Sequence, residues 1–144
     1  MVINHFQKKA WGHEFWIVNS EQYCGKILSV DNHWKVSYHH HQIKHETFHI
    51  LDGHIYFKFD GREFRMKKGM TIVIPPHTNH SFGGLSTYPA QMLEISTTHS
   101  EDDSYRQDES HQIKHDEFMR WFNLPYYNPI TTLNCEDENE CILP

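Results

Sequence analysis

Three histidines and a glutamate in this chain are spaced so that they could close around one cation. His39 and His41 lie two apart in residues 36–41, a stretch of strand-like alternation. Residues two apart on a strand face the same way, ~6–7 Å apart at the backbone, so two imidazoles can converge on one ion. His40 then points to the opposite face and stays out. Glu46 and Gly53 follow to give H-x-H-x4-E-x6-G, and Gly69, Pro75, His77 and His80 give G-x5-P-x-H-x2-H. His39, His41 and His80 with the Glu46 carboxylate make a mixed N/O donor set that leaves positions open for water or substrate. Such a set suits divalent Mn, Zn, Fe, Ni or Co, and the spacing does not choose among them.

Each piece also has a plainer reading. In a chain with 14 histidines an H-x-H arises by chance, Glu46 alone is a solvated carboxylate, and His80 alone is a loop histidine after a proline turn. It is the joint pattern that favours metal. His45, His49, His54, His77 and His99 read as surface or structural.

The elements that must position these groups read as short strands. Residues 15–18, 26–30, 70–74 and 91–96 are apolar stretches bounded by turn residues. Residues 55–59 and 62–66 flank Asp60-Gly61, the strongest short hairpin signal, because both turn positions need positive φ. A two-residue turn there pairs Lys58 with Glu63, Phe57 with Phe64 and Ile55 with Met66, so apolar meets apolar and opposite charges meet. Past residue 100 the chain turns polar. Residues 110–122 suggest a short helix with Ile113, Phe118, Trp121 and Phe122 on one side, and the last twenty residues suggest a tail draped on the barrel or partly mobile. Many short strands with frequent turns predict an antiparallel sandwich or barrel.

Composition narrows the function. The 144 residues carry 13 Lys and Arg against 19 Asp and Glu, a net charge of −6, which argues against nucleic acid or an anionic membrane as partner. No apolar run is long enough to span a bilayer, and residues 1–9 lack a charged-then-apolar leader. Three cysteines, Cys24, Cys135 and Cys141, form an odd set that reads as reduced thiols in a cytoplasm.

With both strings in place the sequence resembles the cupin superfamily over roughly residues 10–106, with His77 where a glycine is usual and Gly84 where an asparagine is common. The resemblance implies an all-β double-stranded β-helix, a cupin jelly-roll barrel, with the metal inside on His39, His41, Glu46 and His80. Trp11-Gly12, Tyr23, Lys26, Ser37, Glu94-Ile95-Ser96, Glu101-Asp102-Asp103 and Tyr105-Arg106 further resemble the isomerase domain of type II phosphomannose isomerases. Related small cupins resemble D-lyxose isomerases. The resemblance thus implies a barrel with an N-terminal strand arm over 1–106, a C-terminal extension over 107–144, and a sugar or sugar phosphate as substrate.

Aldose–ketose isomerisation of the cis-enediol type needs a divalent ion to polarise the carbonyl, a base to move a proton between adjacent carbons, and a cation or donor to set the far end of the sugar. Glu46 or Glu94 could serve as base. Lys44 or Lys26 could donate to the developing oxyanion, and Arg106 could meet a phosphate. The plainer alternatives are solvent-facing Lys26, Lys44 and Glu94, and an Arg106 that pairs with Asp102 or Asp103. Two other functions compete: another cupin metalloenzyme such as an Fe(II) dioxygenase or a lyase, and a non-catalytic metal- or sugar-binding cupin. Family analogy also implies a homodimer that shares edge strands.

Overall fold

Alternating apolar residues and turn-forming pairs divide the chain into antiparallel strands. In a computed structural model, which describes residues 1–129, these are β1 (Val2–Lys9), β2 (Gly12–Asn19), β3 (Cys24–Val30), β4 (Trp34–Lys35), β5 (His39–His40), β6 (Glu46–Asp52), β7 (His54–Phe59), β8 (Arg62–Lys67), β9 (Thr71–Ile74), β10 (His80–Gly84), β11 (Ala90–Ser96), β12 (Tyr105–Arg106) and β13 (His111–Gln112). A 3-10 turn covers Glu101–Asp103, and helix α1 covers His115–Trp121. Cys135, Cys141 and the acidic stretch between them lie outside the described residues.

The first sheet runs β1-β2-β3-β11-β6-β9; the second runs β12-β5-β10-β4-β13, with β7 on β10 and β8 on β7. This is the antiparallel two-sheet pattern of a jelly-roll barrel. The Asp60-Gly61 hairpin holds its expected register, Lys58 opposite Glu63, Phe57 opposite Phe64 and Ile55 opposite Met66. Asp60 and Gly61 both take positive φ, at 47° and 81°.

The core lies between the sheets, built from Leu28, Val30, Phe48, Ile50, Phe57, Met66, Phe82 and Met92 among others. Burying each such side chain contributes about 1.5–3 kcal/mol. Three neighbouring strands change character along their inward faces. β3 presents Val30 and Leu28 and then Lys26; β11 presents Ala90 and Met92 and then Glu94; β6 presents Ile50 and Phe48 and then Glu46. The apolar ends fill the core, and the charged ends collect at one mouth of the barrel.

Two stretches differ from the sequence expectation. Residues 36–41 are not one strand: β4 and β5 are separated because the Ser37 and Tyr38 N–H groups donate to the side chains of Ser110 (3.1 Å) and Asp108 (2.6 Å) rather than to a ladder. The helix does not start at 110, since His111 and Gln112 pair with Lys35 and Trp34. Ile113, Phe118 and Trp121 are buried against Tyr56 and Leu85 on the outside of the second sheet, but Phe122 is exposed. Beyond α1 the chain runs along β8, with the Arg65 N–H on the Pro125 carbonyl and the Tyr127 N–H on that of Arg65, both 2.8 Å.

Candidate metal centre and its cavity

β5 and the residue just past it carry His39 and His41, and β10 opens on His80, directly opposite His39 in register. The ring centroids lie 4.5 Å apart for His39–His80, 5.1 Å for His39–His41 and 5.6 Å for His41–His80. Each ring offers a nitrogen, and the three lie within 4.8 Å of one another. His40 points away, stacked on Tyr105 and bonded to Asn79, as strand alternation requires.

The outer nitrogens set the tautomers. Nδ1–H donates to the Ser37 carbonyl from His39 (2.7 Å), to the Asp103 carbonyl from His41 (2.7 Å) and to the Thr78 carbonyl from His80 (2.9 Å). A ring that donates from Nδ1 keeps its Nε2 lone pair free, which is how histidine is oriented to bind metal. Glu46 enters from β6. Its Oε2 lies 2.8 Å from His80 Nε2 and 3.5 Å from His41 Nε2. Yet Glu46 Oε2 and His80 Nε2 are both buried with no aligned hydrogen bond. Two polar atoms this close and this buried, unsatisfied by each other, fit a shared cation between them. The donor set therefore fits a divalent metal.

Electrostatics agree with that chemistry. Burial, and then the charge of a protonated His80, would pull the His39 pKa down to about 3, so this ring stays neutral. For His41 burial works downward, but the nearby Glu46 carboxylate outweighs it and raises its pKa. Burial works to raise the Glu46 pKa, and His80, His41 and Lys44 together overcome it and hold the carboxylate well below its ordinary range.

Behind the imidazoles runs a buried line of alternating charge. Lys44 Nζ lies 3.3 Å from Glu46 and 2.7 Å from Glu94. It also donates to His99 Nδ1 at 3.2 Å, so His99 Nε2–H donates to Glu101 at 3.0 Å. Lys26 is opposite Glu94 in register, 3.4 Å from Glu14 and 4.3 Å above the Trp16 ring. Burial would raise the Glu94 pKa, and Lys44 foremost, with Lys26, lowers it against the push of Glu46. For Lys44 burial is outweighed by Glu94 and Glu46, and its pKa rises.

These facts decide several sequence alternatives. Lys26, Lys44 and Glu94 do not face solvent; they are 1%, 3% and 4% exposed. Lys44 precedes β6 rather than lying on it, and still reaches Glu46. Its ammonium has three hydrogens and three partners, so it holds carboxylates rather than offering a donor to a substrate. Arg106 sits on β12 at the cavity rim, exposed and with no ion pair among the described residues; Asp103 is occupied by backbone N–H groups instead. The sequence reading missed Asp103, Glu14 and His99. The contacts that draw Asp103 and His99 into the site span 61 residues to Gln42 and 55 to Lys44, and Glu14 meets Lys26 only once β2 and β3 pair, so no local spacing signals them.

Most of these groups, though not His80 or Asp103, line one cavity of about 360 Å³. Part of the lining is apolar, with Trp11, Leu28, Val36, Phe48 and Phe82; the rest includes the His39 and His41 imidazoles and the charge line. The size and the mix of apolar wall and convergent polar groups are those of a small-molecule site.

Of the two departures from the cupin strings, His77 takes φ 65°, the left-handed region that glycine favours, and its N–H donates to the His41 carbonyl at 2.6 Å. At Gly84 a Cβ would lie 2.3 Å from the Asp31 carbonyl oxygen, so no asparagine fits.

Comparison with known proteins agrees with the architecture. Residues 27–96 match the family model described as "Cupin domain". An uncharacterized protein of Methanocaldococcus jannaschii is 36% identical over 59 residues, 41% of this chain and 47% of that protein, so the match spans about half of that relative's length. Similar solved structures include KdgF from a Halomonas species, with TM-score 0.62 and 14% identity over 68% of this chain and 89% of that one. Oxalate decarboxylase of Bacillus subtilis has TM-score 0.62 and 17% identity over 72% of this chain and 30% of that one. A protein of Acidithiobacillus ferrooxidans, provisionally assigned as a sugar phosphate isomerase, has TM-score 0.51 and 16% identity over 59% of this chain and 60% of that one. At such identities these likenesses speak for the fold. The barrel, the paired histidine strings and the matched segment together make this a protein of the cupin fold, with residues 27–96 similar to the cupin domain.

Proposed function

We propose that this cupin is a metal-dependent aldose–ketose isomerase acting on a sugar or sugar phosphate, with His39, His41, Glu46 and His80 holding a divalent Mn, Zn, Fe, Ni or Co ion. The bound ion would act as a Lewis acid on the sugar carbonyl. The observation that carries the reading is a second ionised carboxylate, Glu94, in the same cavity as Glu46 and the His39 and His41 imidazoles. Glu94 takes the proton from the carbon beside the carbonyl and returns it to the former carbonyl carbon while the hydroxyl proton passes from one substrate oxygen to the other, with Glu46 as the second candidate base. Lys44 keeps both carboxylates ionised and fixed. Lys26, held over Trp16, and Arg106 at the rim orient the polar end of the ligand, and the apolar wall excludes water from the reacting carbons. The fold shared with the Acidithiobacillus protein supports this choice.

In this reading residues 1–106 form the working barrel and 107–144 an extension resting on it. The protein works in the cytoplasm, where the buried Cys24 thiol stays reduced, with no nucleic-acid or membrane partner. It pairs as a homodimer through β1, an outer strand of its sheet that exposes Val2, Ile3 and Phe6; elution as a monomer at micromolar concentration would remove that part.

The test is metal analysis of the purified protein, then a panel of pentoses, hexoses and their phosphates with that metal restored. Aldose-to-ketose conversion that chelator abolishes is expected. Inertness across the panel with metal bound overturns the isomerase. A second reading, a non-catalytic binding cupin, is favoured by the engagement of Lys26 and Lys44 with carboxylates. It predicts a ligand-induced thermal shift without turnover. The fold shared with oxalate decarboxylase keeps other metal chemistry in view, and oxygen consumption would single out a dioxygenase.

A further inference from the structure

The connection from His41 to Glu46 crosses from one sheet to the other and has no ladder of its own. Its backbone N–H groups are satisfied from a single distant segment. Asp103 Oδ1 accepts from Gln42 (2.9 Å) and Ile43 (3.2 Å), Oδ2 accepts from Ile43 (3.2 Å) and Lys44 (2.9 Å), and Thr97 Oγ1 accepts from His45 (3.0 Å). The Asp103 carbonyl also takes the Nδ1–H of His41 at 2.7 Å. One residue thus fixes the ring of one candidate ligand and the turn that delivers the next. Asp103 is 7% exposed and makes no ion pair among the described residues, so its carboxylate is given over to backbone donors. It lies beyond residues 27–96, in a part of the chain the family match does not reach.

We infer that Asp103 is a positioning residue for the metal centre: it holds residues 42–44 and the His41 ring in the arrangement that binds the ion, and metal occupancy and the order of the 101–103 turn stabilise each other. The inference rests on the metal reading above. Reciprocity follows from linkage, since a turn that tightens the site must itself be tightened by the ion. Asparagine cannot replace the residue, because it puts an amide N–H against one of the donors that Asp103 now accepts from.

The test is calorimetric titration of the full chain with Mn²⁺ and Co²⁺, for wild type, Asp103→Asn and Asp102→Asn. Loss of an outer partner of a metal ligand typically weakens binding ~10–100-fold. That loss is expected for Asp103→Asn, with an altered visible spectrum of the Co²⁺ form and a smaller metal-induced rise in Tm. Asp102→Asn, at an exposed neighbour, should match wild type. Wild-type affinity, spectrum and Tm increment in Asp103→Asn overturn the positioning role, as does a drop in apo Tm alone with the increment unchanged. Hydrogen exchange on wild type covers a variant that fails to fold: Mn²⁺ should slow exchange at residues 42–44 about tenfold or more, and no slowing overturns the inference. A wild type that binds neither ion overturns the metal centre itself, a separate failure.

Discussion

The Lys44 ammonium lies 2.7 Å from Glu94 and 3.3 Å from Glu46, and all three side chains are nearly withdrawn from water, at 3%, 6% and 2% exposed. Two carboxylates this close to one another would not both stay ionised in such a place without the cation between them. The arrangement keeps a potential base and a potential metal ligand charged side by side.

Removing that cation should therefore be costly. Lys44→Met leaves two buried carboxylates facing each other, and breaking a buried pair this way costs about 3–5 kcal/mol. In the variant the Glu94 and Glu46 pKa values rise above their unfolded values. Its deficit should be largest at neutral pH and should shrink as pH falls through the raised values. Urea denaturation at pH 7 and pH 5 measures this, and an equal deficit at both would show that packing, not charge, was lost.

Metal removal has a directional signature. A ligand that binds only the folded state stabilises it by mass action, about 2.7 kcal/mol at a hundredfold excess over Kd. Dialysis against chelator should lower Tm, and added Mn²⁺ or Co²⁺ should restore it. His39→Ala and His80→Ala should abolish that response, while His40→Ala, whose ring faces Tyr105, should retain it in thermal scans.

The helix on the outer face carries a pH-dependent clamp. Glu63 accepts from Tyr56 Oη (2.6 Å) and from both terminal nitrogens of Arg120 (2.9 and 3.2 Å), and Tyr56 stacks on Trp121 at 4.0 Å. The Arg120 hydrogen bonds, with that of Tyr56, lower the Glu63 pKa against partial burial. A depressed folded pKa gives stability that is present above the unfolded value of ~4.3 and lost as pH falls through the folded one. Glu63→Gln should cost about 1 kcal/mol or less at pH 7, since the group is partly solvated. Tm measured from pH 7 down to pH 3 should show wild type and variant converging at the acid end.

Two backbone positions should respond in opposite senses. His77 holds φ 65°, so His77→Gly should raise stability by roughly 0.5–1 kcal/mol, the strain of a non-glycine there less the added freedom of the unfolded chain. Gly53 holds φ 79°, and a Cβ there would lie 2.5 Å from Ser86 Oγ and 3.0 Å from Ala90 Cβ. Gly53→Ala should cost about 2 kcal/mol or more by strain and clash together. Thermal denaturation of the pair settles both signs.

Much of this was legible in the chain. The Asp60-Gly61 hairpin could be read to its register because turn chemistry and cross-strand pairs agree locally. The imidazole trio could be read because strand parity and two spaced strings point to one place. β6 and β10 were harder: Glu46 and His80 put polar groups on inward positions and so hide the period of two, and only the opposing sheet reveals that side as inward. Residues 36–41 read as one strand because nothing local says that Asp108 and Ser110 will take their N–H groups. The Lys26–Glu94 pairing was invisible, since it depends on β3 and β11 becoming neighbours.

The short pairings of β12 with β5 and of β13 with β4 bear on how the molecule can be cut. A recombinant fragment ended at residue 96, where the family match stops, would leave the 34–40 backbone bare on the side away from β10. Open hydrogen-bonding margins recruit other chains, and such a truncation should precipitate or self-associate even though every buried residue of the core between the sheets remains in it.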